Sequence, residues 1–147
     1  MGKEQVEQLE KHGNYISVPS GISMRPMIYG HRDAVLIEAL QEPPKRYDLV
    51  MYLRPNGQGV IHRVIHRRKD HYVICGDNCY QLEYVKTEQI KGIVTQFHRK
   101  GKWYSVTHKG YRVYVHLWVD FLFVKRPLFY LRDRIIGKLH RRATKEV

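Results

Sequence analysis

The sequence predicts a mainly β domain followed by a basic helical extension. Short apolar runs recur at regular spacing and are bounded by Gly, Pro and Asn turns, the pattern of a sheet of short strands. The 11 tyrosines suit pleated, half-buried surfaces. Beyond residue 108 the pattern changes to helical spacing with many Lys and Arg. At 147 residues one domain is the prior, with a single core that removes roughly two-thirds of the unfolded chain's surface from water.

Lys3 to His12 reads as a short helix that Gly13 stops. Tyr15 to Val18 is extended. Pro19 to Pro26 is crowded with breakers, and Pro26 disfavours helix at Arg25, so Ser23 is expected on a bend or strand end. Strands are predicted at Ala34 to Ile37 and Asp48 to Leu53, separated by a turn at Glu42 to Lys45. Asn56-Gly57-Gln58-Gly59 is a hairpin-type turn into a strand over Val60 to Ile65. Tyr72 to Cys75 ends at Gly76-Asp77-Asn78, and Ile90 to Phe97 and Trp103 to Thr107 complete the set. Val113 to Val124 is apolar and helical, with Pro127 as its expected break. Leu128, Leu131, Ile135 and Leu139 then repeat at helical spacing among Arg132, Arg134, Lys138, Arg141 and Arg142. The expected division is residues 1–108 as the β domain and 109–147 as the extension.

The formal charge of +12 is uneven. Arg99 to Val147 holds 13 Lys or Arg against three acidic residues (Asp120, Asp133 and Glu146), a surplus of ten that leaves +2 for the first 98 residues. Such a tail points to an anionic surface, lipid headgroups or nucleic acid, or else to a merely solvated face. Cys75 and Cys79 are too few for a disulfide framework and read as thiols beside a turn. Met1 to Asn14 is polar and has no apolar core of a secretory signal. No run reaches the ~18 uncharged apolar residues of a membrane span. The expected location is therefore membrane-associated or cytoplasmic.

A serine hydroxyl is a weak nucleophile until a base lies within hydrogen-bond reach and donors face the developing oxyanion. Ser23, on its bend, is the candidate nucleophile. His62, in Val60-Ile61-His62-Arg63-Val64, is the candidate base, because an unperturbed imidazole titrates near pH 6.5. His62 and His66 on a helix would face one metal ion, but no Glu follows His62. On a strand the two lie about 13 Å apart, so no metal is expected. Asp77 and Glu83 are the acidic groups placed to orient the base, and Asp77 is equally a turn former.

In order, these segments resemble the boxes of type I signal peptidases. Ser23-Met24-Arg25-Pro26 resembles the Ser-Met-x-Pro box, and Asp33 to Ile37 the strand after it. Tyr47-Asp48-Leu49-Val50-Met51-Tyr52 resembles the Gly-Asp-hydrophobic strand, with Tyr47 in place of the usual Gly. Ile61-His62-Arg63-Val64-Ile65 is similar to the His-Arg-Val box, and Gly76-Asp77-Asn78 to the final Gly-Asp-Asn box. The resemblance spans about residues 15 to 97. It implies the signal-peptidase and LexA-like β fold, and His at position 62 implies the Ser–His variant of archaeal and endoplasmic-reticulum enzymes. An acidic residue near the last box assists in that variant, which keeps Asp77 and Glu83 both in place. Ile22, Met24 and Pro26 would line the oxyanion and substrate cleft.

The resemblance implies a serine endopeptidase that cleaves signal or leader peptides, with a peptide or pre-protein substrate and no cofactor. Family members usually carry an N-terminal membrane helix, and none is read here. The alternatives are a non-catalytic binding relative and an autoprotease-like regulator with nucleic acid on its tail. Only Lys3 to His12 precedes the boxes, too short for a helix-turn-helix, so nucleic acid is not the expected partner. Leu128 to Arg142 is expected to meet an anionic membrane surface or to pack on its own domain.

Overall fold

A computed structural model describes residues 2–143, with side chains through residue 139. The order is α1 (Lys3–His12), β1 (Asn14–Ser17), β2 (Ala34–Ala39), β3 (Leu49–Leu53), β4 (Gly59–Arg67) and β5 (His71–Cys75). Then follow β6 (Glu83–Lys86), a 3-10 turn (Thr87–Gln89), β7 (Ile90–Arg99), β8 (Lys102–Ser105), α2 (Lys109–Asp120) and α3 (Leu122–Ala143). The eight strands form one antiparallel sheet in the order β1-β2-β7-β3-β4-β5-β6, with β8 also on β7. β7 makes this possible by its length: its first residues pair β3, its last pair β8, and β2 runs along its other edge.

Helices hold nearly as many residues as strands, so the class is mixed α/β rather than mainly β. The sequence pattern placed seven of the eight strands. It missed β6, whose Glu-Tyr-Val-Lys is short, polar and buried only at Val85. The expected break at Pro127 is also corrected. The chain leaves helix at Phe121, and Pro127 lies inside α3. As the sixth residue of α3, Pro127 lies past the first turn, so the helix continues through it without the N–H bond that another residue would give the Phe123 carbonyl.

The sheet has a core on each side. Val35, Ile37, Leu49, Met51, Ile61 and Val94 face one core, where Val6 and Leu9 of α1 and Met24, Met27 and Ile28 of the loop after β1 also pack. Val50, Tyr52, Val64, Tyr72, Ile74 and Val85 face the other. β3 thus feeds both cores, which is why it reads as an unbroken apolar run. Gly13 ends α1 in the left-handed conformation, φ 76°, donating to the Leu9 carbonyl at 2.8 Å. Val115 and Val119 of α2 and Leu122 of α3 are buried. The Arg141 and Arg142 side chains lie outside the described residues.

Candidate active site

Ser23 sits in a tight turn between β1 and β2. Arg25 N–H donates to the Ile22 carbonyl at 3.2 Å and Ile28 N–H to that of Met24 at 2.9 Å. Buried Met24 and Ile28 anchor this turn in the core and leave the Ser23 side chain half-exposed. Ser23 thus stands on a bend held from below.

His62 comes from the middle of β4 and is buried. Its Nδ1 lies 3.1 Å from Glu83 Oε1 and 3.2 Å from the Tyr52 hydroxyl. The sheet builds this group. Val50 is paired with His62 and Tyr52 with Val60, so Tyr52 is the diagonal neighbour of His62. Glu83 opens β6, opposite Ile74. Arg54 fixes the carboxylate from its other side through Nε to Oε2 at 2.9 Å and Nη2 to Oε1 at 2.7 Å, the paired geometry that makes Arg–carboxylate contacts strong. Burial alone would raise the Glu83 carboxyl, but hydrogen bonds from His62, Arg54 and Tyr52 hold it well below its ordinary value. Burial, then the adjacent Glu83, pushes the Tyr52 phenol up, so it stays a donor. With Nδ1–H donating to Glu83, the neutral imidazole carries its lone pair on Nε2.

Ser23 and His62 line one cleft of about 320 Å³, with Glu83, Arg54, Met24 and Cys79 also in its wall. No hydrogen bond joins Ser23 Oγ to His62. Gly76 explains how closely the two segments approach. A Cβ there would lie 2.8 Å from the Ser23 carbonyl oxygen, 3.0 Å from His62 Nε2 and 2.9 Å from Cys79 Sγ. Only a glycine fits between the serine's main chain and the imidazole. Of the three residues expected to line the cleft with Ser23, Met24 does. Ile22 points outward, and its carbonyl instead accepts from Asn78 Nδ2 at 3.2 Å. Pro26 lines a separate cavity with Met27, Phe97 and Tyr111, because the turn carries it past the cleft.

Asp77 is not beside the imidazole. Its carboxylate takes Arg63 Nε at 2.8 Å and Nη2 at 2.7 Å, and the Tyr114 hydroxyl at 2.9 Å. Arg63 is fully buried. Its remaining donors go to the Tyr47 carbonyl, the Tyr111 hydroxyl and Met27 Sδ. Burial would lower the guanidinium pKa, but the Asp77 charge more than offsets this and raises it, so Arg63 stays charged. The structure therefore separates two acidic groups that the sequence left equivalent: Glu83 meets the imidazole, and Asp77 fixes the loop beneath it.

That loop holds the serine. Asn78 N–H donates to the Ser23 carbonyl at 2.7 Å. From outside, Trp118 Nε1 and Lys125 Nζ donate to the Asp77 carbonyl, Arg126 Nε to that of Tyr80, and Arg132 to both Asn78 Oδ1 and the Asn78 carbonyl. Sequence reasoning missed Tyr52, Arg54, Arg63, Asn78 and Arg132. The hairpin pairing of β3 with β4 across the Asn56–Gly59 turn carried a signal for Tyr52; the others meet partners too distant along the chain to be read.

Cys75 and Cys79 are both free thiols. Burial pushes Cys75 up to about 12, and its Sγ donates to the Gln81 carbonyl at 3.2 Å. Among the described residues no cluster of three or more His, Cys, Asp or Glu is placed to hold a metal ion. Neither models of known protein families nor curated proteins match this chain.

Proposed function

We propose that this chain is a serine endopeptidase of the signal-peptidase type, of the signal-peptidase and LexA-like fold, cutting a signal or leader peptide through a Ser–His acyl-enzyme. The observation that carries this is the His62 ring, held at Nδ1 by an ionised Glu83 and lining the same cleft as Ser23. The ordered boxes from Ser23 to Asn78 support it further.

In the proposed reaction Ser23 Oγ attacks the scissile carbonyl while His62 Nε2 takes its proton. The imidazolium so formed is stabilised by the Glu83 carboxylate. The tetrahedral oxyanion is met by backbone amide donors, that of Ser23 among them. Collapse breaks the C–N bond, and Nε2 returns the proton to the leaving amine. A water, deprotonated by the same nitrogen, then hydrolyses the Ser23 ester. Ser23 and His62 are not hydrogen-bonded in the free protein, and such contacts commonly tighten only with substrate bound. That same gap is what favours the second reading, a peptide-binding relative without turnover.

The test uses a peptide with small residues before the cut. Ser23→Ala and His62→Ala are each expected to abolish cleavage, and an active-site serine probe to label Ser23. Full cleavage by either variant would refute the assignment. Peptide binding without probe labelling would favour the second reading.

A further inference from the structure

The C-terminal helices carry their charge and their apolar surface the wrong way round for a solvated helix. On α3, Lys125, Arg126 and Arg132 turn inward and donate to the Asp77–Tyr80 loop. Outward stand Val124, Leu128, Leu131, Ile135 and Leu139, a stripe at i, i+4, i+7, i+11 and i+15, all exposed, Leu131 by 55%. Val113 and Leu117 of α2 and Phe121 just after it are also exposed, at successive i+4 steps. An exposed apolar stripe of this kind marks an interaction surface. The protein's own domain does not cover this stripe, although Tyr130 and Arg132 of the same helix pack on that domain.

We infer that this outer face of α2 and α3 docks onto an anionic bilayer surface, lying in the headgroup region with its apolar stripe inserted. Two charge observations select this occupant. The stripe is flanked by Arg134 and Lys138, and the stretch from Arg99 to Val147 as a whole carries ten of the chain's twelve surplus positive charges, which suits acidic headgroups. A second copy of a chain at +12 would bring like charges together. Nucleic acid would satisfy the cations and leave the apolar stripe in water. No helix among the described residues is long and apolar enough to cross a membrane, so the contact is interfacial. The inner face of the same helix grips the loop behind Ser23, so docking would hold the cleft at a fixed place above the lipid. The inference does not depend on catalysis.

Co-sedimentation of the full chain with phosphatidylglycerol–phosphatidylcholine vesicles tests it. The chain is expected to bind these and to bind pure phosphatidylcholine more weakly. The double variant Leu131→Glu and Ile135→Glu changes only exposed positions. It is expected to keep the near-UV spectrum and to lower partitioning by more than about tenfold. Arg134→Gln with Lys138→Gln should remove the preference for anionic vesicles. Vesicle binding unchanged by the Glu variant, or a folded chain that ignores anionic vesicles, would overturn the inference. A dimer in sedimentation equilibrium that only the Glu variant dissociates, without vesicle binding, would also overturn it and make a second copy the occupant.

Discussion

The two nitrogens of His62 have different neighbours, and this asymmetry is the most informative feature at the residue scale. Nδ1 faces Glu83 and Tyr52; Nε2 faces the gap that Gly76 leaves open. Glu83→Gln keeps the shape and an acceptor oxygen but removes the charge that stabilises the imidazolium. The expected result is a fall in kcat of about 10²–10⁴-fold, the range of general-base assistance, with KM little changed. Stability gives an independent reading. The folded carboxyl is held below its ordinary value, so its contribution is complete above the unfolded value of about 4.3. It is lost as pH falls from there toward the depressed folded value. Chemical denaturation from pH 6 to pH 2 should therefore show the wild type losing its advantage over the Gln variant below about pH 4. Parallel pH profiles would show that Glu83 is not so held. Tyr47 is a second residue-scale case. It adopts φ 82°, where glycine is favoured, at the position where the resembled family has Gly. Its hydroxyl donates to Asp120 Oδ1 at 2.9 Å and its ring packs on His116, ties to α2 that a glycine would lack.

At the scale of the element, β4 separates two tasks by the period of a strand. His62 and Arg63 are adjacent, so they point to opposite faces. Val64 shares the His62 face and packs in one core; Ile61 shares the Arg63 face and packs in the other. The hairpin-type turn at Asn56–Gly59 made the strand legible in the sequence, and the resemblance to the His-Arg-Val box marked the histidine. The interior place of Arg63 was not legible, because a charge in a strand ordinarily reads as solvent-facing. Its partner Asp77 is 14 residues away behind a hairpin. The Arg54–Glu83 pair, 29 residues apart, was hidden for the same reason, as was β6, too polar to register as a strand. Burial makes the Arg63–Asp77 pair consequential. Arg63→Met strands a carboxylate that is 2% exposed, and Asp77→Asn strands a guanidinium that is 0% exposed. Each is expected to cost about 3–5 kcal/mol in denaturant unfolding at neutral pH. A loss below about 1 kcal/mol would mean that water or another group replaces the missing partner.

For the whole molecule, the question is how the C-terminal helices bear on a site built from the first 83 residues. The path is short. Arg132 of α3 holds Asn78, and Asn78 holds the carbonyls of Ile22 and Ser23. The two steps span 54 and 56 residues of chain, so no local pattern announces them. They mean that the basic extension, separable on composition, is mechanically part of the serine's support. Arg132 acts as a positioning residue, since it reaches Ser23 only through Asn78. If the two act as a unit, Arg132→Ala and Asn78→Ala should not be additive. Each should lower unfolding free energy by about 1–3 kcal/mol, the cost of leaving a polar partner unsatisfied. The double variant should lose less than the sum, with a coupling of about 0.5–3 kcal/mol. The same cycle on kcat/KM should show coupling too, and Arg132→Lys should restore stability better than turnover, because an ammonium cannot span both Asn78 oxygens in the fork geometry of arginine. Strict additivity in both measurements would separate the helix from the serine and leave α3 with its outer face alone.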